Sequence, residues 1–395
     1  MVELNKVNFS FWSFDENGVF DESAVKDWKE LGISVAMSYN YNHSKENKQK
    51  MLKLLDECEK YGISLIIFDN RVYFKTLLSV DEKQFDSGVR EAVEDFGSHS
   101  AAAGFFIGDE PGIRDGINEF DLMAKAHTTL KKYSNIIGLI NFLPYNEWNN
   151  KRDTGADSWE YMALLDKFLS ENKLDILAYD LYGSMQIRLK RNGLRGHFRA
   201  LNLFRELAQK HNIPCWFSLL SCGHWNYRNP SRDDIRWMIS SAVAHGMKGL
   251  VWFQLYDTHN DFCRDANGLF PIDYDGKKTV LYDDICFETN RFMRNIGKKL
   301  NDYDFVKVWH YVGSYGGTEE YFDGADDILR EFKVDHDESA IITRLRHKKT
   351  GSAAFMIVNR SQEINARFMY KFCKKYERFS GACWLDAGQI KLIEI

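Results

Sequence analysis

The stretch LGISVAMSYN at residues 31–40 is followed by KENKQKMLKLLDECEKY at 45–61 and by GISLIIFDN at 62–70. The two outer runs are apolar and rich in β-branched residues, which is typical of buried strands. The middle run has apolar residues at three- and four-residue spacing, which is typical of a packed helix. A glycine stands directly before each strand, at Gly32 and Gly62, where a left-handed residue commonly ends the preceding helix. The stretch predicts a strand–helix–strand unit with parallel strands.

The same unit recurs along the first 300 residues, with strand starts 26 to 39 residues apart. Eight strands are predicted, at 7–14, 33–40, 63–70, 102–108, 136–143, 174–181, 213–220 and 248–255. Eight helices are predicted, at 23–31, 45–61, 81–96, 117–133, 158–172, 197–211, 231–245 and 283–300. This count predicts an α/β fold, a (β/α)8 TIM barrel. A doubly wound open sheet is disfavoured because FDENG at 14–18 is not a glycine-rich phosphate loop.

The last part of the chain follows another pattern. Short alternating runs at 306–312, 328–334, 340–346, 352–359, 365–370 and 389–395 are separated by turn-like segments. Such runs are typical of antiparallel strands with one solvated face. We therefore expect a catalytic barrel at residues 1–303, followed by a small antiparallel β-sandwich domain at 304–395.

Composition excludes several classes of protein. The 395 residues carry a formal net charge of −5, which argues against a nucleic-acid partner. No apolar run approaches the roughly 18 residues of a membrane span. Seven cysteines without a C-x-x-C spacing predict neither a disulfide scaffold nor a zinc site, and we expect no metal and no cofactor. The oligomeric state stays open. So does the compartment, which is cytoplasmic, or periplasmic or secreted if a signal peptide was removed.

The site of a barrel lies where its strands end, and the fourth strand ends in FFIGDEP at 105–111. Two adjacent carboxylates, Asp109 and Glu110, are costly at the end of an apolar strand unless they are used or paired. Strand six ends with a third carboxylate, Asp180. Substrate-binding candidates at strand ends are Trp12, Asp15, Tyr39, Asp69, Asn141, Tyr182, His224, Trp225, Trp252, Gln254 and Tyr256. Carboxylates and aromatic faces at one barrel mouth predict a carbohydrate substrate and acid–base chemistry at a glycosidic bond.

The Asp-Glu-Pro motif on strand four resembles the (β/α)8 glycoside hydrolases whose general acid is a Glu at this position. The segments WFQ at 252–254 and GLFPIDYDGK at 268–277, with Leu281, Tyr282 and Asn290, resemble the end of beta-galactosidase-like, clan-A-like barrels. The resemblance implies a glycoside hydrolase acting on O-glycosidic bonds of an oligo- or polysaccharide, with Glu110 as general acid/base.

One departure from that family concerns strand seven, where retaining members place a nucleophilic Glu. Residues 215–225 read CWFSLLSCGHW and contain no carboxylate. Asp180 or Asp109 is one candidate for the second catalytic group, and a wide gap between Glu110 and Asp180 would suit an inverting mechanism.

Two further hypotheses stay open. Asp109 and Glu110 resemble the Asp-Glu pair of hexosaminidases that use the substrate's own 2-acetamido group, with Tyr182 or Tyr256 holding that group. Alternatively, the barrel binds carbohydrate without cleaving it.

Overall fold

The computed structural model describes residues 2–13, 20–145, 151, 154–186, 190–258, 268–312, 320–324 and 326–395. Its first part is a near-closed barrel of parallel strands, as predicted. The strands are β1 (Asn8–Phe11), β2 (Val35–Tyr41), β3 (Ser64–Asp69), β4 (Ala102–Asp109), β5 (Ile137–Phe142), β6 (Leu177–Asp180), β7 (Cys215–Leu220) and β8 (Gly249–Phe253). From β2 to β8, neighbours along the chain are neighbours in the sheet, and β8 also pairs with β1. Ser34 N donates to Phe9 O at 3.0 Å between the first two strands.

Helices surround the barrel on its outer face. They are α1 (Val25–Glu30), α2 (Lys45–Tyr61), α3 (Glu82–Ala92), α4 (Glu119–Tyr133), α5 (Ser158–Asn172), α6 (Lys190–Lys210), α7 (Arg232–Ala244) and α8 (Val280–Phe292). The glycines after α1, α2 and α7 have φ values of 80°, 65° and 87°, which confirms their role as left-handed helix ends. No described helix is both long and apolar enough to cross a membrane.

The helix α6 begins seven residues earlier than the sequence predicts. Two glycines, Gly193 and Gly196, made its first turns look like a loop. In the structure Gly193 lies against the backbone at Gly183, and a Cβ on Gly193 would lie 1.8 Å from the Gly183 carbonyl oxygen. Close packing after β6 therefore requires glycine here, even though glycine is a poor helix former.

The barrel interior is filled by large aromatic side chains below the mouth. Trp12, Phe106 and Trp216 belong to one buried cluster inside the barrel. Trp12 Nε1 donates to Ser218 Oγ at 2.8 Å. A Cβ on Gly249 would lie 2.1 Å from the Trp216 ring, so this position on β8 has room only for glycine. The barrel is packed and has a floor, as expected for eight strands.

Antiparallel strands follow the last helix. One sheet has the order β9 (Tyr303–Tyr311), β11 (Ala340–His347), β12 (Ala353–Asn359) and β15 (Ile390–Glu394), and the other has β10 (Leu329–Val334), β13 (Ala366–Phe372) and β14 (Gly381–Leu385). The two sheets enclose a core separate from that of the barrel, which confirms the predicted β-sandwich. The sequence missed β14, because this edge strand has a glycine and an exposed, non-alternating pattern.

A buried polar relay joins the two parts of the fold. Arg360 Nη1 donates to His310 Nδ1 at 2.6 Å, and the His310 and His245 Nε2 atoms lie 3.2 Å apart. His245 Nδ1 bonds the Ser241 carbonyl oxygen at 2.7 Å. Because a neutral imidazole has one donor and one acceptor, His310 Nε2 must donate to His245 Nε2. The relay therefore requires both histidines to be neutral.

Candidate active site

The strand-four motif has an unusual backbone conformation at its catalytic candidate. β4 ends at Asp109, and Glu110 has a φ of 44°, a left-handed value that costs a non-glycine residue roughly 1–2 kcal/mol. Glu110 N donates to Asn141 O at 2.9 Å, which fixes the peptide to the neighbouring strand. Side chains of both residues are half-buried. Strained residues held in this way occur often at functional sites.

A single amide bridges two of the three carboxylates. Asn141 lies opposite Asp109 in the β4–β5 register. Its Nδ2 donates to Asp109 Oδ1 at 2.9 Å and to Asp180 Oδ1 at 3.0 Å. Asn141 Oδ1 is buried and has no hydrogen-bond partner among the described residues, so it can accept a hydrogen bond from a ligand hydroxyl or N–H.

The third carboxylate joins this cluster directly. Glu110 comes within side-chain hydrogen-bonding reach of Asp180, and this contact acts to lower the pKa of Asp180. Because β5 separates their strands, the sequence left open a gap between them that would suit an inverting pair. In the structure Asp180 ends β6, and Glu110 follows β4 with a left-handed φ of 44°. Asp109, Glu110, Asp180 and Asn141 are called the carboxylate cluster below.

The cluster holds protons more tightly than ordinary carboxylates. Burial, and then the charge of Asp109, raise the pKa of Asp180 to about 7, against the hydrogen bonds from Asn141 and Glu110. Burial also raises the pKa of Asp109, against the hydrogen bond from Asn141 and the charges of Lys75 and Arg114. Like charges brought together in a poorly solvated site behave in this way. The cluster can therefore supply a carboxylic acid near neutral pH.

Aromatic rings form one wall beside the cluster. The ring of Tyr182 is centred 5.3 Å from Phe253, 5.5 Å from His224 and 5.8 Å from Tyr227. Burial, followed by the charges of Asp180, Asp109 and Glu110, raises the Tyr182 pKa, so the phenol stays protonated next to the carboxylates. Burial lowers the pKa of His224 to about 4, so this imidazole is neutral.

Three other predicted residues lie at strand ends or in the loops that follow them. Trp225 adjoins His224 with its ring 67% exposed, an orientation that suits stacking on a sugar. Gln254 directly follows β8 and is 1% exposed, and its Oε1 has no hydrogen-bond partner among the described residues. Tyr39 lies on β2 and lines a polar pocket of about 580 Å³ with Asn40 and Asn42.

Three predicted substrate-binding residues have structural roles instead. Asp69 is fully buried and forms a double ion pair with Arg71 at 2.8 Å. Trp252 is 0% exposed and stacks on Phe9 on the outer, helix-facing side of the barrel. Tyr256 is buried, and its hydroxyl accepts a hydrogen bond from Trp28 Nε1 at 2.6 Å. None of the three presents its polar group or ring to the mouth.

The two remaining predicted residues are Trp12, which lies in the barrel interior, and Asp15. Trp12 is 3% exposed and donates a hydrogen bond to Ser218 inside the barrel. It therefore packs in the floor of the barrel and does not have the substrate-binding role that the sequence predicted. Asp15 lies outside the described residues.

The end of β7 carries no acid. Ser221 Oγ donates to Gln254 O at 3.0 Å, and Cys222 Sγ donates to Phe253 O at 3.6 Å. Both side chains therefore bond the backbone of the neighbouring strand. The carboxylates described at the mouth come from β4 and β6.

Sequence reasoning missed several residues at this site. Tyr227 and Phe253 contact Tyr182. Tyr73 stacks on Phe106, and burial, followed by the charge of Asp109, raises the Tyr73 pKa. Arg114 donates to the Glu110 carbonyl oxygen. Phe253 adjoins Gln254, so its position at a strand end was an available signal. The loop residues carried no sequence signal that would have marked them as part of the site.

A possible metal-binding group occurs elsewhere. Within the described part of the chain, Asp56, Glu59 and His99 have donor atoms within 4.8 Å of one another. They lie at the end of α2 and just before β4, at the opposite end of the barrel from the carboxylate cluster.

Comparisons with solved structures show that this fold is similar to the folds of several glycoside hydrolases. A family 39 glycoside hydrolase from Bacteroides cellulosilyticus WH2 superposes with a TM-score of 0.58 at 10% identity, covering 100% of this chain and 82% of that chain. A family 5 glycoside hydrolase from Bacteroides vulgatus ATCC 8482 gives 0.58 at 11% identity, covering 98% and 89%. A GH5_18 protein from Streptomyces cattleya, solved with GlcNAc, gives 0.54 at 12% identity, covering 74% and 81%.

At these identities the likeness is one of fold. It confirms the predicted resemblance at the level of the barrel and, where coverage is nearly complete, of the barrel with its β-sandwich. No family model matches the sequence, and no curated protein matches it.

Proposed function

We propose that this protein is a glycoside hydrolase in which Glu110 is the general acid. The observation that carries the proposal is the carboxylate cluster, in which Asn141 donates hydrogen bonds to Asp180 and Asp109, and Glu110 contacts Asp180. Cleavage of a glycosidic bond needs a carboxylic acid that stays protonated until the leaving oxygen takes its proton. The fold shared with solved glycoside hydrolases supports the same reaction class.

Asp180 is the proposed second carboxylate. With a pKa of about 7, Asp180 is partly ionised near neutral pH, and as the anion it is proposed to accept a hydrogen bond from protonated Glu110. As the glycosidic bond breaks, the negative charge of Asp180 stabilises the positive charge on the sugar ring. A water then attacks the anomeric carbon and gives its proton to Glu110, which the first step left ionised.

Asn141 Oδ1 and Gln254 Oε1 are proposed to accept hydrogen bonds from sugar hydroxyls. Both oxygens are buried and have no partner among the described residues. A buried acceptor of this kind costs free energy until it is bonded. The exposed ring of Trp225 would stack on a sugar further from the cluster.

A second candidate is a substrate-assisted N-acetylhexosaminidase. Two observations favour it. Residues 215–227, which include β7 and its end, contain no carboxylate. Burial, then the charges of Asp180 and Asp109, raise the pKa of Tyr182, which places both carboxylates near this phenol. In this mechanism Asp109 and Tyr182 would orient the 2-acetamido group while Glu110 protonates the leaving oxygen. Tyr256 is excluded from that role because its hydroxyl lies against Trp28.

The test is a substrate panel with stereochemical analysis of the product. Aryl glycosides of 2-hydroxy sugars and of 2-acetamido sugars are incubated with the wild-type protein, and proton NMR records the first anomer released. Turnover of 2-hydroxy sugars supports the carboxylate mechanism. Turnover restricted to 2-acetamido sugars, with retention, supports substrate assistance. Sugar binding without any turnover would overturn the proposal and leave a non-catalytic carbohydrate-binding barrel.

A further inference from the structure

The loop after β4 carries a cation that the reaction chemistry does not use. A two-stranded hairpin, Ile113–Arg114 with Ile117–Asn118, connects the end of β4 to α4. Within it, Arg114 Nη2 donates to the Glu110 carbonyl oxygen at 3.1 Å. Arg114 Nη1 donates to Glu119 Oε2 at 3.1 Å. One guanidinium thus joins the backbone of the proposed acid to a carboxylate on the next helix.

Glu119 is itself firmly held. It is the first residue of α4 and is buried. Its Oε2 accepts a second hydrogen bond from Gly112 N at 2.9 Å, and its backbone N donates to Gly112 O at 2.9 Å. A buried carboxylate with these bonds is a rigid anchor for the arginine. Because Arg is planar and presents several N–H groups, it can bridge two fixed acceptors where Lys offers a single ammonium.

The backbone that Arg114 holds is the strained one. Glu110 has a φ of 44° and precedes Pro111, and its amide is already bonded to Asn141 O. With Arg114 on the carbonyl, hydrogen bonds hold both the amide and the carbonyl of Glu110, and they thereby set the direction of its Cα–Cβ bond. Burial raises the pKa of Asp109, and the Asn141 hydrogen bond, the charge of Lys75 and then the charge of Arg114 oppose that rise.

We infer that Arg114 is a positioning residue, which holds the Glu110 backbone in the left-handed conformation that points its carboxyl at Asp180 and the glycosidic oxygen. The expected effect of Arg114 on the reaction rate rests on the proposed function. Arg114 does not transfer a proton in this scheme. It acts through the Glu110 carbonyl and through Glu119.

The kinetic test compares Arg114→Met and Arg114→Lys with Arg90→Met. Arg90 is a matched surface arginine on α3 whose side chain is 54% exposed, against 42% for Arg114. For Arg114→Met we expect kcat to fall roughly 10- to 100-fold, with KM nearly unchanged, because a displacement of about 1 Å can cost about 100-fold in rate. Arg114→Lys should recover the pH profile and only part of kcat. A kcat equal to that of Arg90→Met, or a rise in KM alone, would overturn the inference.

A second measurement needs no turnover. Carbon-13 NMR titration of the carboxyl groups, assigned with Asp109→Asn, should show the Asp109 midpoint moving to higher pH in Arg114→Met but not in Arg114→Lys. Glu119→Gln, which weakens the anchor, should reduce kcat in the same direction, and thermal unfolding confirms that each variant is folded. If the wild-type protein cleaves no glycoside, the proposed function fails. The titration still tests whether Arg114 lies close enough to the cluster for its charge to act on Asp109. An unchanged midpoint would contradict that placement.

Discussion

Replacing Asn141 by leucine, a side chain of similar size, should shift the pH dependence of the reaction. Asn141 Nδ2 donates a hydrogen bond to Asp109 at 2.9 Å and another to Asp180 at 3.0 Å. Hydrogen bonds to charged groups contribute about 1.5–3 kcal/mol each. Their loss destabilises the ionised carboxylates, so the pKa of Asp180, about 7 in the wild type, should rise by about one unit or more, since one unit corresponds to about 1.4 kcal/mol.

The assay is the pH profile of kcat/KM for Asn141→Leu, measured beside Asn172→Leu. Asn172 is a matched control because its amide donates to the Phe168 carbonyl oxygen on α5, outside the site. If ionised Asp180 is required, the acidic limb of the profile should move from near pH 7 to about pH 8 or higher in Asn141→Leu only, given a shift of about one pKa unit.

Thermal unfolding of the same variant should agree in sign. The Asp180 pKa is raised above its unfolded value, so its contribution to stability is largest at low pH and is lost as pH rises through about 7. The loss of unfolding temperature in Asn141→Leu should therefore be larger at pH 8 than at pH 5. An unchanged acidic limb, or equal losses at both pH values, would refute the assignment of Asn141 as the amide that holds these charges.

Three further predictions concern packing, pH and binding. Gly249→Ala places a Cβ 2.1 Å from the Trp216 ring and should lower the free energy of unfolding in urea by at least about 1–3 kcal/mol; an unchanged value would contradict the packed floor. Burial lowers the pKa of His245 to about 3, so the stability that depends on its neutral form is complete above pH 6.5 and lost as pH falls. His245→Gln should therefore weaken the decline of the urea midpoint between pH 7 and pH 5, and an identical decline would argue against the relay. Trp225→Ala should raise KM roughly two- to tenfold, the equivalent of about 0.5–1.5 kcal/mol of stacking, while Trp384→Ala, an equally exposed tryptophan on β14, should leave KM unchanged.

The sequence predicts the barrel well because each strand is marked independently by its β-branched run and by the helix that follows. The sequence is a much poorer guide to whether a strand residue faces the barrel interior or the surrounding helices. Strands of a parallel barrel are buried on both faces, so Trp252 and Tyr256 at the end of β8 looked the same as mouth residues. Only the structure shows them packed against Phe9 and Trp28.

Individual site residues divide in the same way. Asp109, Glu110 and Asp180 were recognisable because carboxylates rarely end apolar strands without a purpose. The contact between Glu110 and Asp180 was not predictable, because it depends on a left-handed φ at a glutamate. Arg114 lies in a short hairpin with no motif, and its role follows only from the two oxygens that it contacts.

The central claim is that Glu110 protonates the leaving oxygen, and the leaving-group dependence of Glu110→Gln tests it most directly. The amide keeps the shape of the side chain but has no acidic proton. Aryl glycosides of the sugar that the wild type cleaves best are compared, from poor phenol leaving groups to dinitrophenol, which departs without a proton. If Glu110 is the general acid, Glu110→Gln should lose much of its kcat/KM for poor leaving groups and little for dinitrophenol. An equal loss across the series, or wild-type activity throughout, would contradict it.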